Sequence, residues 1–337
     1  MGAIKTNMRK ITFRFLLCGF LSAAGMCGWP CGWTASAQIK PIPFGDMEKW
    51  LVRRVDESGI IGGKTKYIYD LAEGDTLTGN TPFVPDLSVS PWGNSSVMAV
   101  VKGITKASTT VFPEYHGKGL AARMETRIER VKVMGIINIS VLATGTMFLG
   151  QIVEPVRDTK DPMAKLLMGV EFTDRPKSLI YDYNFQQGQN GGQRIRVPGF
   201  GRTEEIEGIN CGEVCLILQQ RWEDAEGNVY AKRVATAWPR YSESTKGWIN
   251  GNEIPIHYGD ISGTDYYKPY MALQDGGKDG YYCRNSKGKV VPIREVGWAS
   301  PDAVPTHIIL RLSSGHGGAY VGCPGAMLHI DNIKLRY

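Results

Sequence analysis

The sequence lacks the short motifs that mark most enzyme classes. It has no G-x-S-x-G elbow, no H-E-x-x-H pair and no phosphate-binding glycine loop. Histidine is scarce, and His116, His257, His307, His316 and His329 show no metal-ligand spacing. No segment keeps a 3.6-residue apolar period over a long stretch, which argues against a helical bundle. A parallel α/β fold needs a helix between most strands, and the chain has no room for them. Charge of one sign is missing too. Residues 1–37 hold Lys5, Arg9, Lys10 and Arg14 and no acid. Of 39 basic and 33 acidic residues, 35 and 33 remain beyond that stretch, close to +2. Such a balance leaves no electrostatic footprint for nucleic acid and no polybasic membrane patch.

What is there begins with a leader pattern. A basic start, the mostly apolar stretch Phe15 to Trp29 and the small residues Ala35-Ser36-Ala37 follow the order of a secretory signal. A membrane-spanning helix needs about 20 apolar residues. This stretch is shorter and is broken by Gly19, Gly25 and Gly28. The expectation is a signal peptide over 1–37, export to the periplasm or outer cell surface, and one folded domain over 38–337. Cys18 and Cys27 lack the small-residue context of a lipidated cysteine. Of seven cysteines, Cys211, Cys215, Cys283 and Cys323 lie beyond the leader. Export permits disulfides, and three pairings stay open beside free thiols. Cys211 and Cys215 on an extended strand sit about 13 Å apart, too far to bridge.

Glycine is abundant, at 41 residues, and apolar residues come in short alternating runs bounded by Gly, Pro, Asn and Asp. Strands are expected over Val97 to Val101, Ala122 to Ile128, Ile136 to Leu142, Val214 to Leu218, Val229 to Trp238 and Thr306 to Leu312. Ile308, Leu310 and Leu312 share one face of the last, and His307, Ile309 and Arg311 the other, as in one sheet of a sandwich. One short helix is expected near Pro162 to Leu167, with Asp161 as cap and Pro162 at its first position. The polar and aromatic stretch from Ser242 to Ser300 reads as irregular loops and hairpins inserted in the domain. Near the C-terminus, Leu328 and Ile330 alternate in one phase and Ile333, Leu335 and Tyr337 in the other. A strand changes phase by inserting a residue, so a β-bulge is expected at Asp331-Asn332.

Three segments resemble the putative carbohydrate metabolism domain family of Bacteroidetes-type envelope proteins. Phe44-Gly45-Asp46-Met47-Glu48-Lys49-Trp50 is similar to its entry motif. Gly169-Val170-Glu171-Phe172-Thr173-Asp174-Arg175-Pro176, followed by Tyr181-Asp182-Tyr183-Asn184-Phe185, is similar to its central motif, with Glu171 where the family has a smaller residue or proline. Pro305, Ser313-Ser314-Gly315, Gly325, Leu328 and Asp331 follow its closing pattern. Gly117 to Thr126 and Gly145 to Gly150 are a fainter match. The resemblance implies an all-β, jelly-roll-like antiparallel β-sandwich with long loop insertions, similar to carbohydrate-binding modules, and a role near surface glycans.

Sugars stack their C–H faces on aromatic rings and give their hydroxyls to amides and carboxylates in concave sites. Trp92, Asn94, Tyr183 and Trp222 are the candidate carbohydrate-binding residues, for a poly- or oligosaccharide ligand. Trp248 and the run Asp265-Tyr266-Tyr267 lie in the irregular stretch, and Trp50 and Trp238 are assigned to the core. Asp46, Glu48 and Asp331 offer the hard oxygen ligands of a structural calcium ion, the only cofactor expected. Two alternatives accompany binding. A glycoside hydrolase needs two carboxyl groups about 5–10 Å apart, and Glu114, Glu171, Asp174, Asp182 and Glu223 are available. A structural or adhesion component would contact envelope proteins through a free sheet edge. Ser314-Gly315-His316-Gly317-Gly318 reads as a turn rather than a catalytic arrangement.

Overall fold

The computed structural model describes residues 38–84, 86–133, 137–200 and 202–337. The expected signal peptide, 1–37, lies outside them. The described chain is nearly all β, and no described helix is long and apolar enough to cross a membrane.

Two assemblies of strands make the body. The first is a six-stranded antiparallel sheet in the order Ile249–Pro255, Ser178–Gln186, Met327–Arg336, Gly119–Glu125, Val111–His116, with Ile39–Pro41 also paired to Met327–Arg336. The second closes on itself. His307–Ser313 pairs with Thr146–Ile152. The ladder then runs through Leu166–Met168, Tyr282–Arg284, Val290–Trp298 and Val229–Ala237 to Gly212–Glu223, which pairs back onto His307–Ser313. That ring is a seven-stranded barrel. Two of its pairings, Leu166–Met168 with Tyr282–Arg284 and Val229–Ala237 with Val290–Trp298, are parallel.

Alternation along two strands explains how the halves join. Val214, Leu216, Leu218, Ile308, Leu310 and Leu312 pack with Leu179, Phe185, Leu328 and Ile330 of the six-stranded sheet. Cys215, Ile217 and Ile309, pointing the opposite way, pack with Phe148, Met271, Tyr281 and Ile293 inside the barrel. The facing of Ile308, Leu310 and Leu312 is as expected. The far side of that strand, however, meets the barrel lumen and not the exterior of an open sheet. Smaller sheets, Thr65–Leu71 with Trp50–Asp56 and Leu77–Thr78 among them, carry satellite clusters around Ile68 and Ile139.

The stretch 242–300 is more integrated than its composition implied. Ile249–Pro255 forms an edge of the six-stranded sheet, and Tyr282–Arg284 and Val290–Trp298 are barrel staves. A three-residue stave is too short to show a period. The expected helix is a 3-10 turn, Pro162–Lys165, with proline at its start and no side-chain cap from Asp161. Cys211, Cys215, Cys283 and Cys323 are all free thiols. Burial pushes the Cys215 thiol up to about 12.

The barrel also buries charge. Arg233 and Glu295 are fully enclosed and form a bidentate pair, with Nε to Oε1 at 3.0 Å. The remaining donors and acceptors are matched: Arg233 donates to the carbonyls of Met271 and Ala272, and Glu295 accepts from Gln219 and the Gln274 amide. Removing one partner strands the other. Arg233→Met is expected to lower unfolding free energy by about 3–5 kcal/mol, read by denaturant titration. Adding Glu295→Gln should recover part of that loss, since no charge is then left unpaired.

Candidate functional site

The bulge expected from the phase change is present. Asp182 opposes Asp331 and Ile180 opposes Lys334, so Tyr181 alone faces Asn332 and Ile333. Asn332 takes a left-handed backbone, φ 55°, which asparagine tolerates better than most residues. Leu328, Ile330, Ile333 and Leu335 thereby all reach the core. Asp331, and Asp182 on the neighbouring strand, face away from it.

On that outer face three strands converge. His116 Nδ1 lies 2.7 Å from Asp331 Oδ2. The Asn332 amide donates to Asp182 Oδ2 at 2.8 Å and to Asp331 Oδ2 at 3.1 Å. Asp331 Oδ1 accepts the Asn332 N–H at 2.6 Å, and Asp182 Oδ1 accepts the Gly251 N–H at 2.6 Å. Trp248, beside the Ile249–Pro255 edge, stacks on His116 with ring centroids 3.8 Å apart and meets His329 edge-on at 6.0 Å. Burial raises the Asp331 carboxyl above the usual range and Asp182 adds to the effect, against the hydrogen bonds from His116 and Asn332.

A second feature lies on the barrel, where a cavity of about 300 Å³ is lined by Trp222, Glu223, Arg221, Arg284, Cys283 and His307. Trp222 is 44% exposed and stacks on Tyr230, with centroids 5.9 Å apart. Arg221 donates from Nε to Gln219 and from Nη1 to the Met168 carbonyl, while its Nη2 is buried with no hydrogen-bond partner. Burial pulls this guanidinium down to about 10. Gly169 makes room for it: with φ at +95°, an added Cβ would stand 2.2 Å from Arg221 Nη2. Glu223 is committed to Ser286, through the backbone N–H at 2.8 Å and Oγ at 2.6 Å. Burial, then the neighbouring Arg221, lowers His307 to about 4.

The four aromatic and amide candidates do not meet. Trp92 is 2% exposed and donates its indole N–H to the Pro43 carbonyl. Asn94 is buried and spends its amide on the Tyr69 carbonyl and Asp70. Tyr183 is buried and stacks on Tyr241 at 4.2 Å. These three are core, because their strands pair on both sides or their side chains face inward; Trp222 alone lines a cavity. Trp50 and Trp238 pack in the core as expected. Asp331 does sit in a ligand-type cluster, but with His116 and Asp182, not with Asp46 and Glu48. Those two are exposed, and Glu48 accepts the Leu120 N–H at 3.1 Å. That His116 meets Asp331 and Trp248 is invisible to spacing, because the three are distant in the chain. The phase break at Asp331 was the one local signal.

No family model and no curated protein matches the chain. Two solved structures are weakly similar. One, named a putative glycoside hydrolase from Bacteroides thetaiotaomicron, is 14% identical with a TM-score of 0.41 over 82% of this chain and 76% of that one. Another so named, from Bacteroides vulgatus, is 13% identical with a TM-score of 0.40 over 88% and 94%. Superposition at that level supports no argument about fold or activity.

Two outcomes follow from this geometry. Asn332→Ala should be less stable than Asn332→Gly by about 1 kcal/mol, since both lose the amide but only alanine carries the left-handed penalty; thermal or denaturant unfolding reads the difference. Because folded His307 resists protonation down to about 4, its contribution is whole above the unfolded value near 6.5. It is lost as pH falls from there toward 4 while the unfolded chain takes up the proton. His307→Asn should flatten the fall of stability across that window.

Proposed function

We propose that the chain binds saccharide, and acidic saccharide in preference, in the cavity lined by Trp222. The observation that carries this reading is a cavity lined both by the exposed Trp222 and by Arg221, whose buried Nη2 has no hydrogen-bond partner among the described residues. The indole, backed by Tyr230, offers a flat apolar surface to the C–H face of a pyranose. Arg221 and Arg284 offer charged donors to a carboxylate, a pairing stronger than one with a neutral hydroxyl. His307, neutral at physiological pH, is available to a hydroxyl.

The resemblance at Gly169 to Pro176 supports the same reading, since Gly169 is the residue that lets Arg221 reach this position. A jelly-roll kinship of the sandwich half, export to the cell envelope and contact with other envelope proteins belong to this proposal. Hydrolysis has less behind it. Of the five candidate acids, Glu223 is held by Ser286, Asp174 by Lys40 at 3.1 Å and Glu114 by Arg123 at 2.5 Å.

Calorimetry with neutral oligosaccharides and uronate-containing ones is the direct trial. Uronate-containing chains should bind more tightly, and Trp222→Ala should weaken them at least ~10-fold, or about 1.4 kcal/mol. Absence of binding across both sets at millimolar concentration would end the proposal. Release of reducing sugar by the unaltered protein would replace it with the hydrolase reading.

A further inference from the structure

We propose that His116, Asp182 and Asp331 bind a divalent transition-metal ion, with zinc as the reference case. The site is separate from the Trp222 cavity and does not depend on the saccharide reading. One ligand atom from each of the three residues lies within 4.8 Å of the others. Around a tetrahedral zinc, with bonds of about 2.0–2.2 Å, ligand atoms stand about 3.4 Å apart. His116 and Asp331 would open from 2.7 Å and the wider pairs close toward that spacing, adjustments within reach of side-chain torsions.

Charge is the second argument. The other buried carboxylates are matched by cationic side chains, Glu57 by Lys106 at 3.3 Å and the rest by guanidinium groups. Arg53 reaches Asp70 at 2.6 Å and Glu154 at 2.8 Å, Arg240 reaches Glu213 at 2.7 Å, and Arg233 reaches Glu295 at 3.0 Å. Asp182 and Asp331 have no arginine or lysine partner. Among the described residues their neighbours in hydrogen-bonding range are His116, the Asn332 side chain and two backbone N–H groups. Two carboxylates held together in the folded state with no fixed cation are a place where a mobile one is favoured.

The third argument is the donor set and its support. The Asn332 amide nitrogen already stands between the two carboxylates, 2.8 and 3.1 Å away. Amide nitrogen and oxygen exchange places by rotation, and the turned amide brings an oxygen to the same position as a further donor. His116 is held in orientation by its stack on Trp248, the kind of outer support that fixes a ligating imidazole. An imidazole beside two carboxylates suits zinc, manganese or iron better than calcium, which takes oxygen ligands. This trio shares only Asp331 with the calcium ligands expected from sequence.

The test is direct titration of the chelator-treated full chain with zinc, cobalt(II) and calcium, followed by calorimetry and elemental analysis. One equivalent of zinc is expected, bound at least tenfold more weakly by Asp182→Asn and by His116→Gln, and unchanged in Glu48→Gln. Bound cobalt should give visible bands without the intense near-ultraviolet absorption of thiolate ligation, which excludes the four free cysteines as the source. Less than a tenth of an equivalent bound, retention of zinc by both variants, thiolate absorption, or calcium binding in place of zinc would each overturn the proposal. His116→Gln keeps the bulge and both carboxylates, so it remains informative if a carboxylate variant folds poorly.

Discussion

The strands Gly212–Glu223 and His307–Ser313 are buried on both faces, and the rest of the molecule is arranged around that constraint. Each contributes one set of apolar side chains to the sandwich core and the alternate set to the barrel lumen. A strand exposed on one side tolerates polar residues there. The central stretches of these two therefore read Val-Cys-Leu-Ile-Leu and Ile-Ile-Leu, with the polar residues toward the strand ends or paired. Their shared wall couples the two halves, because a change of register in either would turn both apolar sets the wrong way at once.

Most of the charge inside the barrel is matched. Glu213 lies between Arg240 and Arg311, and these two cations more than reverse the effect of burial, holding its carboxyl below the usual range. Arg233 and Glu295 repeat the arrangement deeper inside. These pairs replace part of the apolar filling that a seven-stranded ring otherwise needs. Arg221 belongs to the same network through Gln219, which itself bonds to Glu295. Its Nη2 is left without a hydrogen-bond partner among the described residues, and Arg221 is one of the residues lining the Trp222 cavity.

The outer face of the six-stranded sheet follows a different logic. There the bulge at Asn332 keeps the core alternation intact on both sides of the interruption while leaving Asp331 beside Asp182. His116 comes from another hairpin and Trp248 from the opposite edge of the sheet. The cluster therefore exists only because five strands hold their order, which buries Asp182 and Asp331 beside His116.

Sequence alone determined the all-β class, the positions of several strands, the facing of Ile308, Leu310 and Leu312, and the bulge at Asp331-Asn332. All of these follow from local alternation and its interruption, which neighbouring residues carry between them. Tertiary structure decided the rest. Whether Trp92 is core and Trp222 surface depends on which strands flank them, and whether Asp331 meets Glu48 or His116 depends on strand order. Closure of the barrel depends on the pairing of Gly212–Glu223 with His307–Ser313, segments some ninety residues apart. Contacts over such separations leave no periodic trace in the chain, because they are set by how whole sheets pack and not by which residues are adjacent.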